Sequence, residues 1–403
     1  MADVEKLREL ATANIDKHAD DLYSINQQIH AKPEIAHQEV FAHQLLTSFL
    51  AKQGFQVEQH YALETAFKAT LRCGKGPNVA VLCEYDALPK IGHGCGHNLI
   101  AEAGIGAAIG IQAAMKAIDE GRDFGTLTVY GTPAEEGLGG KIAMIKHGCF
   151  NGVDFAMMVH GSSFDAGISN LASMLDIGIT YHGRNAHAAL CPWDGINAVD
   201  AAVYCYNSIS AMRQHFKPTW RVHGIITDGG KLPSIIPDQS QMQFYLRALS
   251  EKDLHILLAK CESCFRGAAT ATGCTVDIQY RKVHNDHYIC MLNNLSMANR
   301  YEQHASRLGV QFPSYAQQLT LPAGSSDMGN ISQLIPSIHP FFDIGTKVPK
   351  HSSAFTEASA TAIAHEKTLI AAKSMALVAI DIFTDPQFRQ QIIQEFNDAK
   401  VDS

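Results

Sequence analysis

The chain has 403 residues, 46% of them hydrophobic and 18% charged, which is enough for more than one packed core. Lys and Arg number 32 against 40 Asp and Glu, a formal charge of −8, and no basic cluster stands out; nucleic acid and anionic membrane are thereby disfavoured as partners. The N-terminus mixes charges from its first residues and lacks the apolar stretch of a signal peptide, so cytoplasmic residence is expected, with the scattered cysteines as reduced thiols.

The first segment, to about Tyr61, reads as helical with a loop around Lys32-Pro33-Glu34. Strands then alternate with helices: strand Asn78 to Tyr85, helix Asn98 to Glu120, strand Thr126 to Gly131, helix Gly139 to His147, strand Phe155 to Val159. This predicts an α/β fold, a mostly parallel mixed sheet covered by helices. The apolar run Ala101 to Ile118 is broken by Glu102 and Lys116 and suits a helix packed on that sheet better than a membrane span. Gly104, Gly106 and Gly110 imitate a dinucleotide-binding pattern, but they fall inside the helix rather than in the turn after a strand.

From Ser173 the pattern becomes strand Met174 to Gly183, helix Gly195 to His215, strands Trp220 to Thr227 and Gln239 to Arg247, helix Glu251 to Gly273, and strand Cys274 to Val283. That order is an inserted ferredoxin-like α+β unit over 173–285, dividing the outer domain into 1–172 and 286–403. Cys261 and Cys264 form a lone C-x-x-C in a helical pattern and read as core packing. The outer pattern resumes with helix Asn294 to Leu308, strand Gln318 to Leu321, helix Met328 to Leu334, strand Ser337 to Ile344 and a long helix from about Thr356.

Ligand-type residues gather where strands of the outer domain end. Cys95 and His97 lie in a glycine-flanked loop, two residues apart, as metal ligands are, with Asp86 placed to hydrogen-bond an imidazole. Glu135-Glu136 follows the Thr126 strand, His160 ends the Phe155 strand, and His351 follows Phe341 to Gly345. Any one of these alone is as well a solvated polar residue; together they mark the sheet edge where α/β folds bind ligands. Neighbouring Glu135 and Glu136 point oppositely on an extended chain, so one can hold metal while the other handles a proton. Cys95, His97, Glu136, His160 and His351 exceed one tetrahedral site and fit two divalent ions about 3.5–4 Å apart, with zinc favoured and manganese or cobalt admissible. In the insert, His187 is either a solvated loop residue or, if the insert closes over the metals, an oxyanion donor. Arg247 either pairs with a substrate carboxylate or caps a strand.

These motifs resemble the M20 metallopeptidases, the two-metal aminoacylase and carboxypeptidase family, in its amidohydrolase branch. The resemblance rests on Pro33-Glu34 with Glu39, Asp86-Ala-Leu-Pro89, Cys95-Gly-His97, Pro133-Ala-Glu-Glu-Gly137, His160, Gly183 to His187, Gly229-Gly230, Ile236-Pro237, Arg247, Ser325 to Asn330 and His351 to Phe355. It implies metal ligands at the residues just counted, Glu135 as general base and acid, and His187 as oxyanion support, in some relatives across a dimer formed through the insert. It also implies a small N-acyl amino acid or dipeptide as substrate, with aminobenzoyl-glutamate-like and basic dipeptides in range. Two departures stand out: Asn98 where many branch members have Asp near the metals, and Ser234 where a substrate-holding Asn is usual.

The resulting expectation is an amidohydrolase using metal-activated water, with Glu135 moving the proton. The alternatives are a catalytically silent metal- or substrate-binding regulator and a single-metal deacetylase. Retention of Glu135 beside all the ligands weighs against the silent regulator.

Overall fold

A computed structural model describes residues 4–118, 123–280, 286–321 and 324–402. Its strands are β1 (Gln56–Gln59), β2 (Phe67–Cys73), β3 (Asn78–Cys83), β4 (Gly125–Gly131), β5 (Phe155–Met157), β6 (His160–Ser162), β7 (Ser173–His182), β8 (Arg221–Asp228), β9 (Gln239–Ala248), β10 (Thr275–Tyr280), β11 (Ser337–Ile338) and β12 (Phe341–Asp343). The chain divides into two compact units, one of residues 1–170, 291–323 and 327–403, the other of residues 171–290 and 324–326.

The first unit is built on a mixed sheet in the order β1-β2-β4-β3-β5-β11, parallel from β4 through β11 and antiparallel at the β1-β2 edge. The parallel strands are buried; every residue of β3 after Asn78 is inaccessible, as expected of strands covered on both faces. Helix His97–Lys116 is long and apolar enough to cross a membrane, yet 94% of its apolar window is buried inside the protein. It packs on β3 and against helices Val4–Lys17 and Ala362–Thr384. Its glycines make that approach possible: a Cβ at Gly104 would meet Cys83 Sγ at 2.4 Å, and one at Gly110 would meet Ile15 Cδ1 at 2.7 Å.

Several elements differ from the sequence reading. The antiparallel strands β1 and β2 are additional to it, and Gln318–Leu321 is not a strand: Tyr315–Gln318 is a helical turn whose Gln318 carboxamide accepts from the amides of Gly167 and Ile168. The Phe155 and Ser337 strands are each broken in two, and Pro340, which has no N–H to give the ladder, stands at the break. Pairing resumes where β6 meets β12, His160 opposite Phe341. The expected ends at Glu120 and Val283, and the boundary at residue 285, lie outside the described residues.

The second unit has the antiparallel order β10-β7-β9-β8, with helices Ala198–Met212 and Glu251–Thr272 against the sheet. Strand-helix-strand-strand-helix-strand in that order is a ferredoxin-like fold. Each helix starts with a side-chain cap, Asn197 accepting from Val199 and Ser250 from Asp253. Cys205, Cys261 and Cys264 are free thiols in its core.

Candidate metal centre

The segments that follow β3 and β4, the first residue of β6 and the loop after β12 bring Cys95, His97, Glu135, Glu136, His160 and His351 together. Ligand atoms of Cys95, His97 and His160 lie within 4.8 Å of one another; so do those of Cys95, Glu136 and His351, and of His97, Glu135 and Glu136. The backbone is bent to achieve this. Gly96 adopts φ +81° at the head of helix His97–Lys116, while Ala134 and His351 are non-glycine residues at φ +61°. Such left-handed residues cost about 1–2 kcal/mol each and persist where the surroundings over-determine them. His351 is anchored by its amide, which donates to the carbonyl of Gly94 at 2.8 Å.

Asp86 organises the centre. One oxygen lies 2.9 Å from His97 Nδ1 and the other accepts from the amide of Glu136 at 2.9 Å. His97 Nε2 faces Glu84 at 3.5 Å, Glu135 at 3.9 Å and Glu136 at 4.0 Å; with Nδ1–H given to Asp86, a cation replacing the second proton of the ring would meet the electron pair of Nε2. Among the described residues, His97 Nε2, Glu84 Oε2 and Glu136 Oε1 are buried without a hydrogen-bond partner. Orphaned buried atoms are costly, and here they converge with a thiol, imidazoles and carboxylates, a donor set suited to a divalent cation.

The electrostatics make the same demand for positive charge. Burial, then Glu84, Glu136 and Asp327, push the Glu135 carboxyl well above the usual range. Burial pushes the Cys95 thiol up to about 12, Glu136 adding to the effect. Burial opposes charge on His97, but Asp86 and Cys95 outweigh it and raise the imidazole well above its ordinary value. His160, 3.5 Å from Cys95 Sγ through Nε2, is instead driven well below the imidazole range by burial and then by Lys350.

Sequence reasoning assigned no role to several neighbours. Lys141 Nζ bridges Glu84 and Asp327, with Asp327 Oδ1 at 2.7 Å, all three side chains fully buried. Lys350 Nζ lies 3.1 Å from His160 Nδ1. His339, wholly buried 5.6 Å from the His160 ring, has no hydrogen-bond partner on either nitrogen among the described residues. Asp327 lies in the Ser325 to Asn330 motif and Glu84 at a strand exit, so those carried a signal; Lys141, Lys350 and His339 carried none. Asn98 is tied elsewhere through its amide nitrogen: Nδ2 donates to Asn26 Oδ1 at 3.1 Å and to the carbonyl of Ser359 at 3.0 Å, while its Oδ1 is buried without a hydrogen-bond partner among the described residues.

The remaining site residues lie in the second unit. His187 is exposed on the loop after β7, where its Nδ1 accepts from the amides of Ala189 and Leu190 at 3.2 and 3.3 Å. Those donors select the Nε2–H tautomer, leaving that N–H to donate. Ser234, also exposed, accepts through its carbonyl from Ala188, so it neighbours His187. Arg247 is at the other end of β9, its Nη1 donating to Ser325 Oγ at 3.2 Å.

Known proteins match the chain throughout. A peptidase dimerisation domain matches residues 172–272. The Xaa-Arg dipeptidase of Mus musculus is 42% identical over 405 residues, spanning 98% of this chain and 93% of its own. A p-aminobenzoyl-glutamate hydrolase polypeptide of Escherichia coli is 28% identical, spanning 92% of this chain and 91% of its own. Among solved structures, a dinuclear metal-binding M20 peptidase from Bacillus subtilis superposes with a TM-score of 0.72 at 20% identity, covering 91% of this chain and 99% of that one, which shows a shared fold. With close identity sustained from end to end, the chain belongs to the M20 peptidases and is a hydrolase of amide bonds.

Proposed function

We propose that the protein is a two-metal dipeptidase, cleaving dipeptides whose C-terminal residue is basic. The observation that carries this is the 42% identity to an Xaa-Arg dipeptidase across a chain that retains the whole donor cluster. Cys95, His97, Glu136, His160 and His351 would hold the ions, the donor triads sharing Cys95, with zinc first in preference and manganese or cobalt as substitutes. Bound divalent ions supply Lewis acidity, lowering the pKa of water and polarising a carbonyl. Glu135, buried beside the donors, accepts the proton of the attacking water and delivers it to the departing amine. Asp86 keeps His97 in register, and Arg247 receives the substrate carboxylate.

His187 donates to the oxyanion from the neighbouring subunit of a homodimer formed through the second unit. Its support is local geometry: His187 bridges to Ile235 before β9, whereas Arg247 lies near the far end of that strand. The stretch of β9 from Gln239 to Arg247 alone spans about 26 Å at the rise of an extended strand, too far for both residues to serve one dipeptide within one subunit. The strand β8 supplies an open sheet edge bearing exposed Ile225 and Ile226.

The test is a hydrolysis screen of dipeptides ending in Arg or Lys, other dipeptides, acyl amino acids and aminobenzoyl-glutamate after loading with zinc, manganese or cobalt. Cleavage of the basic dipeptides with two ions per chain is expected. Protein holding two ions that cleaves none of the panel would refute the reading; one ion at full activity would favour a single-metal deacetylase-like mechanism. Inactive His187→Ala and Arg247→Ala variants, refolded together, should regain part of the activity if the residues act across subunits.

A further inference from the structure

Glu39 is a buried carboxylate outside the donor cluster. It stands at the N-cap position of helix Val40–Gln53, where Asp, Asn, Ser or Thr would ordinarily accept from the first turn, and its side chain makes no such bond. Glu34 does that work, its two oxygens accepting from the amides of Phe41 and Ala42 at 3.0 Å each. Glu39 is thereby free to turn inward, where it is fully inaccessible. One oxygen accepts from Thr65 Oγ1 at 2.7 Å and the other from the amide of Ala134 at 2.9 Å. No cation pairs with it among the described residues, and burial pushes its carboxyl up to about 7. Burying an acid without a counter-ion is expensive, so the bond to Ala134 needs a reason.

Ala134 supplies one. It is the left-handed residue immediately before Glu135, and its carbonyl accepts from Gly140 at 3.2 Å, a glycine whose added Cβ would lie 1.8 Å from the carbonyl oxygen of Pro133. On the other side, the amide of Glu136 is held by Asp86. Glu135 therefore stands between two peptide groups, each fixed by a buried carboxylate, in a turn that alanine does not adopt by preference.

We infer that Glu39 is a positioning residue for the reaction, holding the Ala134 turn so that Glu135 faces the reacting water. This rests on Glu135 being the proton carrier. Glu39→Ala should lower kcat by about 10- to 100-fold, the scale of a misplaced reacting group, with KM within about threefold and metal content unchanged. Glu39→Gln keeps an oxygen for the Ala134 amide, while Thr65 can turn to accept, so most of kcat should return. Thr65→Val, which removes the other bond to Glu39, should lose thermal stability yet keep kcat. Wild-type kcat in folded Glu39→Ala, or a Glu39→Gln variant as slow as Glu39→Ala, would overturn the inference. So would a loss of kcat in Thr65→Val matching that of Glu39→Ala. Glu135→Gln separates the two readings: if it stays active, the assignment of the base fails, whereas if it is dead while Glu39→Ala is fully active, only the positioning role fails.

Discussion

Two buried ionic clusters of the first unit follow opposite rules. Around Asp381, on helix Ala362–Thr384, both carboxylate oxygens are paired: Oδ1 with Arg8 Nη2 at 2.5 Å, and Oδ2 with Arg300 Nη1 at 2.6 Å and His304 Nε2 at 2.8 Å. Burial alone would raise this carboxyl, but His304, Arg8 and Arg300 hold it down at about 2. Around Cys95 and His97, by contrast, carboxylates crowd one another and buried atoms on His97, Glu84 and Glu136 have no hydrogen-bond partner among the described residues. The first cluster is complete and ties three helices together. The second is incomplete as protein alone, which is the mark of a site rather than a strut.

The sharpest way to break this contrast is Glu135→Gln. Turnover should fall by about 10²- to 10⁴-fold, the range of general acid-base catalysis, with metal content retained. In metal-free protein the same substitution should raise the melting temperature, by about 1 kcal/mol in stability, because it removes one of several crowded carboxylates. Near-normal kcat, or a destabilised apoprotein, would contradict the division between strut and site.

Asp381→Asn is the mirror experiment. Removing one partner of a buried, fully paired group should cost about 3–5 kcal/mol while leaving kcat per folded molecule unchanged. The folded pKa is depressed from the ordinary 3.8 to about 2, so the contribution is fully present above 3.8 and is lost as pH falls through 2. Wild-type protein should therefore lose about 2 kcal/mol more than the variant between pH 5 and pH 2 by chemical denaturation. Parallel acid profiles would show that the cluster is not the clamp its geometry implies.

Divalent ions should act on one cluster only. Zinc at about a hundred times its dissociation constant should stabilise the protein by about 2.7 kcal/mol, reversed by a chelator, and equally in Asp381→Asn. Glu136→Ala should abolish most of that shift, measured by calorimetry with the metal alone.

How much of this was legible in the sequence follows from how far each interaction reaches. Cys95, His97 and Glu135-Glu136 announce themselves because ligand spacing and strand exits are local patterns. Lys141 does not: it sits in an ordinary helical turn, and the carboxylates that hold it are 57 and 186 residues away. Read along the chain, such a lysine belongs to a solvated face. The polar strand Gln56–Gln59 is equally silent, being mostly exposed at the sheet edge, whereas the period-two pattern of Phe67, Ala69 and Leu71 in β2 could have been read. Asn98 shows a different limit. Its place beside His97 suggested a charge removed near the metals, but on a helix the next residue points about 100° away, and its amide meets Asn26 and Ser359 instead.

Asn98→Asp gives the smallest of these effects and tests where the site ends. The Asn98 amide donates to two acceptors, and Asn26 in turn donates through Nδ2 to Glu102 at 2.5 Å, a carboxylate that also contacts His365. An aspartate would set a carboxylate against the carbonyl of Ser359 and Asn26 Oδ1. If Asn26 turned to donate to it, the bond to Glu102 would be lost. The substitution should therefore cost about 1–3 kcal/mol, the cost of unmade buried hydrogen bonds, while shifting kcat and zinc affinity less than threefold. A large gain in zinc affinity at unchanged stability would instead place residue 98 among the groups that tune the ions. The boundary of the site would then lie one residue deeper in helix His97–Lys116 than the hydrogen bonds of Asn98 imply.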